Sequence, residues 1–532
     1  MRKEFLGIVI LHLLLQIVFV FWSPTFAFFF SIYWVPLALL GFRDLAQTKH
    51  AVTRNFPVIG HFRYLLEMIR PEINQYFIES NTSGRPFSRE QRSLVYQRAK
   101  ATLDTLPFGT QKDYYEVGHE WVCHSFSPLN VPYHEHRVMV GGKDCKKPYS
   151  ASLLNISAMS FGALSKNAVM SLNGGAKLAK MYHNTGEGGL SPYHLSPGGD
   201  LVWQLGTAYF SARDLNGNFS EELFAKKCAQ YPNIKMVELK LSQGAKPGHG
   251  GILPASKLTQ EIAQIRNVPM GQNVISPPGH TTFSTPIELM EFIKKLRDLS
   301  GGLPVGMKFC LGRRREFMSI CKAMLHTNIY PDYIVVDGGE GGTGAAPLEF
   351  SNHVGFPLRE AIIFVHNCLL GFGLREQIKI ISSGRILSGF DMISRMAIGA
   401  DMCNSARGMM MALGCIQALR CNSNSCPVGV ATQDPELVRG LDVSHKTVRI
   451  KNYHHETLKS MHEILTSMGL QSTTELRPHH IIKRVSDHSV KNYAEIYEFL
   501  EPNSIIRTFN TIPMEYQRFY NSSSEKTWDA IN

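Results

Sequence analysis

From Phe5 to Trp22 the chain is apolar apart from His12 and Gln16. At 1.5 Å per residue, about 18 residues approach the ~30 Å hydrocarbon slab of a bilayer. Ser23-Pro24 interrupts the run, and a second apolar stretch, Phe26 to Phe42, carries Phe28, Phe29, Phe30, Tyr33, Trp34 and Pro36. The pattern predicts a transmembrane helical hairpin over residues 1–42, with a single span as the alternative. Arg2 and Lys3 precede the first run, and Arg43, Lys49 and Arg54 follow the second. Basic flanks of this kind put both ends in the cytoplasm, so the expected location is the inner or plasma membrane with the remaining chain facing the cytoplasm. A secretory signal fits less well, because the stretch exceeds an apolar region of about 7–15 residues and no clean small-x-small site follows.

Residues 43–150 read as a mixed, partly helical segment; RPFSREQRSLVYQRAK suits a helix near anionic headgroups or an ordinary amphipathic surface helix. From Leu153 the pattern changes to short apolar runs that end in glycine, serine or polar residues, each followed by helix-compatible sequence. The candidate strands are LLNISAM, MYHNTGE, LVWQLG, MVELKLSQG, LPVGMKF, DYIVVDGGEGG, IKIISSGR and ADMCNSARG. Eight such units predict an α/β fold, a closed (β/α)8 barrel over residues 151–440. Residues 441–532 read as a C-terminal helical extension.

Composition narrows the class. With 44% hydrophobic and 19% charged residues in 532, the chain is neither disordered nor a coiled coil, and ten cysteines are too dilute for a disulfide scaffold. The net charge of +11 comes from scattered Lys and Arg without basic runs interleaved with aromatics, so nucleic acid is not an expected partner.

In a (β/α)8 barrel the chemistry sits at the C-terminal ends of the strands. Ser160, Glu187, Gln204, Gln243, Lys246, Lys308 and the DGGEGG turn fall there. The last two strands end in Ser383-Gly384-Arg385 and Ala406-Arg407-Gly408, small residues and an arginine on each turn, as a phosphate site needs. Without a GxGxxG after a strand, a dinucleotide site is disfavoured, which leaves FMN or a phosphorylated substrate. Cys415, Cys421 and Cys426 stand in a C-x5-C-x4-C string. Buried small side chains, half of a zinc site, or an iron–sulfur cluster are all compatible with that spacing.

The strings SAMSFGALS, NTGEGGLSP, KLSQGAKPGHGG, ISPPGH, DGGEGGTGAAP and GCIQALRCNSNSCPVGVATQ occur in this order over about residues 150–440. Together they resemble the FMN-binding domain of glutamate synthases, and especially stand-alone, membrane-anchored relatives. The resemblance implies a TIM barrel carrying FMN and a [3Fe-4S] cluster held by Cys415, Cys421 and Cys426. It also implies that Ala158, Met159 and Ser160 line the flavin, that Gln204 reaches its ring, and that Gly338, Gly339 and Gly342, with Ser383, Gly384, Arg385, Ala406 and Arg407, complete the cofactor site. Lys308 would stand beside both flavin and 2-oxo acid, Gln243 and Lys246 on a loop over the substrate, and Glu187 near them. A fixed cation there would stabilise an anionic flavin and a carboxylate substrate.

Two departures bear on function. His249 in KPGHGG stands where the family has an acidic residue associated with coupling to ammonia production, and the chain is read as lacking the amidotransferase domain and the long β-helix of the large enzymes. The expected activity is therefore that of a membrane-anchored FMN and iron–sulfur oxidoreductase acting on CH–NH2 donors. It would reduce an imino acid formed from a 2-oxo acid, 2-oxoglutarate giving glutamate. Electrons would come from a donor such as ferredoxin or a reductase subunit, and ammonia from solution or a separate protein. Another amine or imine substrate, or a redox relay without its own substrate, are the alternatives.

Overall fold

A computed structural model describes residues 1–531, which divide into two units, Met1–Arg89 and Glu90 onward. In the first, α1 (Arg2–Trp22) and α2 (Pro24–Ala46) form an antiparallel pair turned at Ser23, whose hydroxyl accepts from the Phe26 N–H, with Pro24 opening α2. Phe5, Val9, His12, Gln16 and Phe19 recur at helical spacing and are the residues of α1 turned toward α2. The two polar interruptions are thereby used internally. Gln16 accepts from the Trp34 indole and donates to the Ala27 carbonyl, each at 3.1 Å, and the His12 ring stacks on Phe30 with centroids 5.6 Å apart.

In the second unit eight parallel strands close into a barrel: β1 (Leu154–Ile156), β2 (His183–Asn184), β3 (Leu201–Leu205), β4 (Ile234–Lys240), β5 (Val305–Cys310), β6 (Tyr333–Asp337), β7 (Lys379–Ser383) and β8 (Met402–Ser405). β8 returns to β1 in the register Asn404 with Asn155, which leaves no open edge. All eight expected strands are present. The outer helices are α3 (Lys166–Leu178), α4 (Glu221–Gln230), α5 (Pro286–Leu299), α6 (Arg314–Thr327), α7 (Leu358–Gly371), α8 (Gly389–Met396) and α9 (Arg407–Leu413). Their starts follow from the sequence: Ser165 caps α3, Thr285 followed by Pro286 opens α5, and Ser388 with Asp391 makes a capping box for α8. Between β2 and β3 there is only the turn of helix Pro192–Leu195. Gly188 and Gly189 before it and Pro197, Gly198 and Gly199 after it keep it short.

Strands buried on both faces are apolar throughout where they meet helices, and Leu239, Met307, Ile334, Val335 and Ile381 are fully buried. The long β4–α5 connection carries a small ribbon, Ile252–Leu253 with Val274–Ile275, and the helix Gln260–Arg266. It lies over the C-terminal barrel mouth, where Thr207 donates to the Pro277 carbonyl and His280 Nε2 meets the Lys240 carbonyl at 2.8 Å. After α9, α10 (Val443–Ser467) packs against α3. The rest of 441–532 is not purely helical: Ile481–Ser486 and Ser489–Asn492 form an antiparallel ribbon that pairs with Glu120–Val122. Alternating residues such as IIKRVS suit a half-exposed strand better than a helix.

Candidate active site

Inside the barrel mouth the side chains are charged and buried. On β4 the string VELK sends Glu238 and Lys240, two residues apart, to the same face, and Gln204 on β3 stands beside Glu238 in register. Gln204 Nε2 donates to Glu238 at 2.5 Å and Asn184 Nδ2 at 2.9 Å. Burial raises the Glu238 pKa; Lys308, Gln204 and Asn184 oppose this, and the net shift is upward. Lys240 pairs with Glu187 at 2.8 Å. Burial pushes the Glu187 carboxyl up, but Lys240, with Lys246 and Arg266 in range, outweighs it and the net shift is downward.

Lys308 on β5 is buried and 3.4 Å from Asp337 at the end of β6. Burial favours the neutral amine, but Asp337, Glu238 and Glu187 together raise its pKa, so it remains a cation. Asp337 also accepts the Gly244 N–H at 3.1 Å, tying the β4 loop to the DGGEGG turn. A side chain on Gly244 would run into the Gly338 carbonyl, so the close approach requires glycine. Lys246 is buried, and burial lowers its pKa. Gln243 reaches Thr343 at 3.4 Å. His249 turns its ring to its neighbour, Nδ1 lying 2.9 Å from the Gly250 carbonyl, and meets Phe350 edge-on.

On the β7–β8 side Ser383 lies 3.2 Å from Ser157, Gly384 has a φ of +147°, and Arg385 follows at +55°. Arg407 donates to the Glu340 carbonyl at 3.1 Å, and a Cβ on Gly342 would come within 2.8 Å of its side chain. Burial, with Arg385 next, lowers the Arg407 pKa to about 10. Two guanidiniums that disfavour each other, beside glycines that leave room, suit a bound phosphate. Ala158, Met159 and Ser160 follow β1; Met159 is buried, its N–H on the Asn184 carbonyl and its own carbonyl near His194 Nε2. Gly338 and Gly339 lie in the turn after β6.

Cys426 is buried and Cys415 and Cys421 are partly so, in the segment after α9. Beside them Lys257 is buried, with its ammonium on the carbonyls of Cys421 at 2.7 Å and Ala431 at 3.1 Å. No carboxylate pairs with it among the described residues, so a buried cation here suits an anionic thiolate-bound group.

Residues 108–471 match the conserved region in glutamate synthase. The chain belongs to the glutamate synthase family. The glutamate synthase large subunit-like protein YerD of Bacillus subtilis is 36% identical over 88% of this chain and 96% of its own length. The archaeal glutamate synthase [NADPH] of Methanocaldococcus jannaschii is 36% identical over 60% of this chain and 60% of its own. This glutamate synthase family member thus spans about 60% of that relative's length. Sequence reasoning missed Glu238, Lys240, Asp337 and Arg266. The signal was present for two of them, since acid and base two apart in an otherwise apolar strand point into the barrel. Arg266, which donates to the Phe161 carbonyl at 3.2 Å, comes from a loop helix with no such pattern.

Proposed function

We propose that the chain is a membrane-anchored oxidoreductase of glutamate synthase type that reduces an imino acid formed from 2-oxoglutarate and ammonia, giving glutamate. The observation that carries this reading is the charge at the barrel mouth. Among the described residues, Lys240, Lys246, Lys308 and Arg266 gather around Glu187, Glu238 and Asp337; burial shifts both Glu238 and Lys246 toward their neutral forms. A site with surplus buried cation favours a dianionic 2-oxo acid. When bound, FMN would supply hydride transfer and a [3Fe-4S] cluster one-electron transfer. Arg385, Arg407, Ser383, Gly384 and Ala406 would hold the phosphate. Ala158, Met159, Ser160, Gln204, Gly338, Gly339, Gly342 and Lys308 would border the flavin, and Cys415, Cys421 and Cys426 the cluster.

Lys308 would fix negative charge on cofactor and substrate, and Lys246 and Gln243 would close the loop over the substrate. Glu187, already paired to Lys240, is a positioning residue in this reading. The domains read as 1–42 anchor, 43–150 connecting segment, 151–440 barrel with cysteine string, and 441–532 extension. The anchor reading rests on two helices of mean hydropathy 2.5 and 1.8 and on basic flanks that would leave the barrel in the cytoplasm. Electrons would come from ferredoxin or a reductase subunit, and ammonia from solution or a separate protein. The test is anaerobic reoxidation of pre-reduced protein by a panel of 2-oxo acids with ammonium. 2-Oxoglutarate should be fastest; reoxidation by none of them would leave a relay without its own substrate.

A further inference from the structure

Away from the barrel mouth, His134, His136 and His462 converge. The first two lie two residues apart, just before the strand Arg137–Val140, and their rings pack together. His462 comes from α10. One ring nitrogen from each lies within 4.8 Å of the others, and the ring centroids are 4.1 Å (His134–His136), 5.5 Å (His134–His462) and 5.7 Å (His136–His462) apart.

The hydrogen bonds assign the nitrogens. His462 is 3% exposed; its Nε2 lies 2.9 Å from the Val131 carbonyl and so carries the proton, while its buried Nδ1 has no partner. His136 Nε2 is likewise buried and unpartnered. His134 Nδ1 is 3.4 Å from the Pro132 carbonyl, which leaves its Nε2 for a ligand. A buried ring nitrogen without a hydrogen-bond partner is costly, and two of them within one cluster of three rings are both satisfied by a common electrophile. The Val131 carbonyl orients the His462 ring as an outer-shell partner does for a metal-bound histidine. Of the neighbouring acids, Glu135 is paired with Arg137 at 2.7 Å, and Glu456 lies near Tyr133, whose ring meets His462.

We propose that His134, His136 and His462 form a binding site for a divalent transition-metal ion of the zinc class, with the fourth position open to solvent on the exposed His134 side. Three neutral nitrogen donors select such ions over magnesium or calcium, which take oxygen ligands. Ligands of a tetrahedral ion at 2.0–2.1 Å stand about 3.4 Å apart, a contraction the exposed His134 and half-buried His136 can make by side-chain rotation. The ion would clamp the segment before the barrel to α10, where the Ser125 and Leu129 N–H groups already satisfy the last carbonyls of the helix, Ser467 and Thr466. The site shares no residue with the barrel mouth and stands or falls independently of the proposed reaction.

The test uses the full-length chain in detergent, without a histidine tag, titrated with Zn2+ against a competing chromophoric chelator. The wild type should bind one equivalent at least 100-fold more tightly than the His134→Ala/His136→Ala double variant. Zinc should raise the thermal midpoint of the wild type alone, and the zinc absorption edge should show a nitrogen and oxygen shell without sulfur. If the double variant loses its fold, His134→Asn, at an exposed position, should still weaken binding at least tenfold. Equal affinity in wild type and variant, or zinc bound through sulfur, would overturn the proposal.

Discussion

In α1 and α2 the large apolar side chains point outward: Ile8, Leu14, Val18, Phe28, Phe29 and Leu39 are each more than half exposed. Only 6% of the most apolar stretch of α1 and 22% of that of α2 is buried. In the barrel the order is reversed, with aliphatic side chains buried between strands and helices and the charges Glu238, Lys240 and Lys308 inside as well. The hairpin spends its few polar groups holding two helices together, Gln16 to Trp34 being the clearest case. The barrel spends its polar groups on one end of its interior. Exposed apolar area costs ~25 cal/mol per Å2 in water, so the hairpin's surface suits the proposed membrane, whereas the barrel's buried charges suit a charged ligand.

The comparison breaks most completely by cutting. A chain beginning at Arg43 should leave the membrane fraction almost entirely and keep its flavin; sedimentation and the flavin spectrum check both. If the shortened chain still sediments with membranes, the hairpin is not the anchor.

Within the barrel, Lys308→Met should keep flavin, because the proposed phosphate contacts follow β7 and β8, yet lower substrate-dependent reoxidation ~10²-fold, the order for one preorganised electrostatic contact. Asp337 and Glu238 would lose their cation together, so the thermal midpoint is measured alongside. Unchanged turnover at full flavin occupancy would remove Lys308 from the chemistry. A narrower effect is expected from Cys421→Ser, which should abolish iron binding with flavin largely retained, since the thiols lie beyond α9 and off the barrel strands. Iron and flavin analysis on one sample decides it, and parallel loss of both would mean that the two sites are coupled.

The alternation of apolar runs and glycine-rich ends made all eight strands legible, because strands buried on both faces must be apolar and their turns must bend sharply. The turns after β7 and β8 were legible for the same reason, Arg385 and Arg407 each following a small residue at a strand end. The electrostatic partners were not. Asp337 reads as part of a glycine turn, and only the parallel pairing of β5 with β6 brings it to Lys308. Lys257 lies 164 residues from the cysteine whose carbonyl it meets, a distance no local pattern reports. The ribbon at 481–492 was hidden differently, its partner Glu120–Val122 lying before the barrel.

The smallest expected effect separates the two regions by pH. His194 is fully buried, with Nδ1 2.8 Å from the Ser191 hydroxyl and Nε2 3.4 Å from the Met159 carbonyl, and burial lowers its pKa to about 4. An unfolded chain binds that proton near pH 6.5. Between about 6.5 and 4 the unfolded state therefore holds more protons than the folded one, so the stabilisation is full above pH 6.5 and is lost as the pH falls toward 4. The amount at stake is on the order of 3 kcal/mol. His280, lowered to about 4 by burial, adds in the same direction. Denaturant midpoints of the chain beginning at Arg43 should thus fall from pH 6.5 to pH 5, and His194→Asn should flatten that slope by close to one proton while lowering stability at neutral pH. An unaltered slope in the variant would mean that His194 takes up its proton without unfolding. Met159 would then be held by a contact that tolerates charge, and the acid sensitivity of the barrel would have to come from His280 or from the paired carboxylates at its mouth.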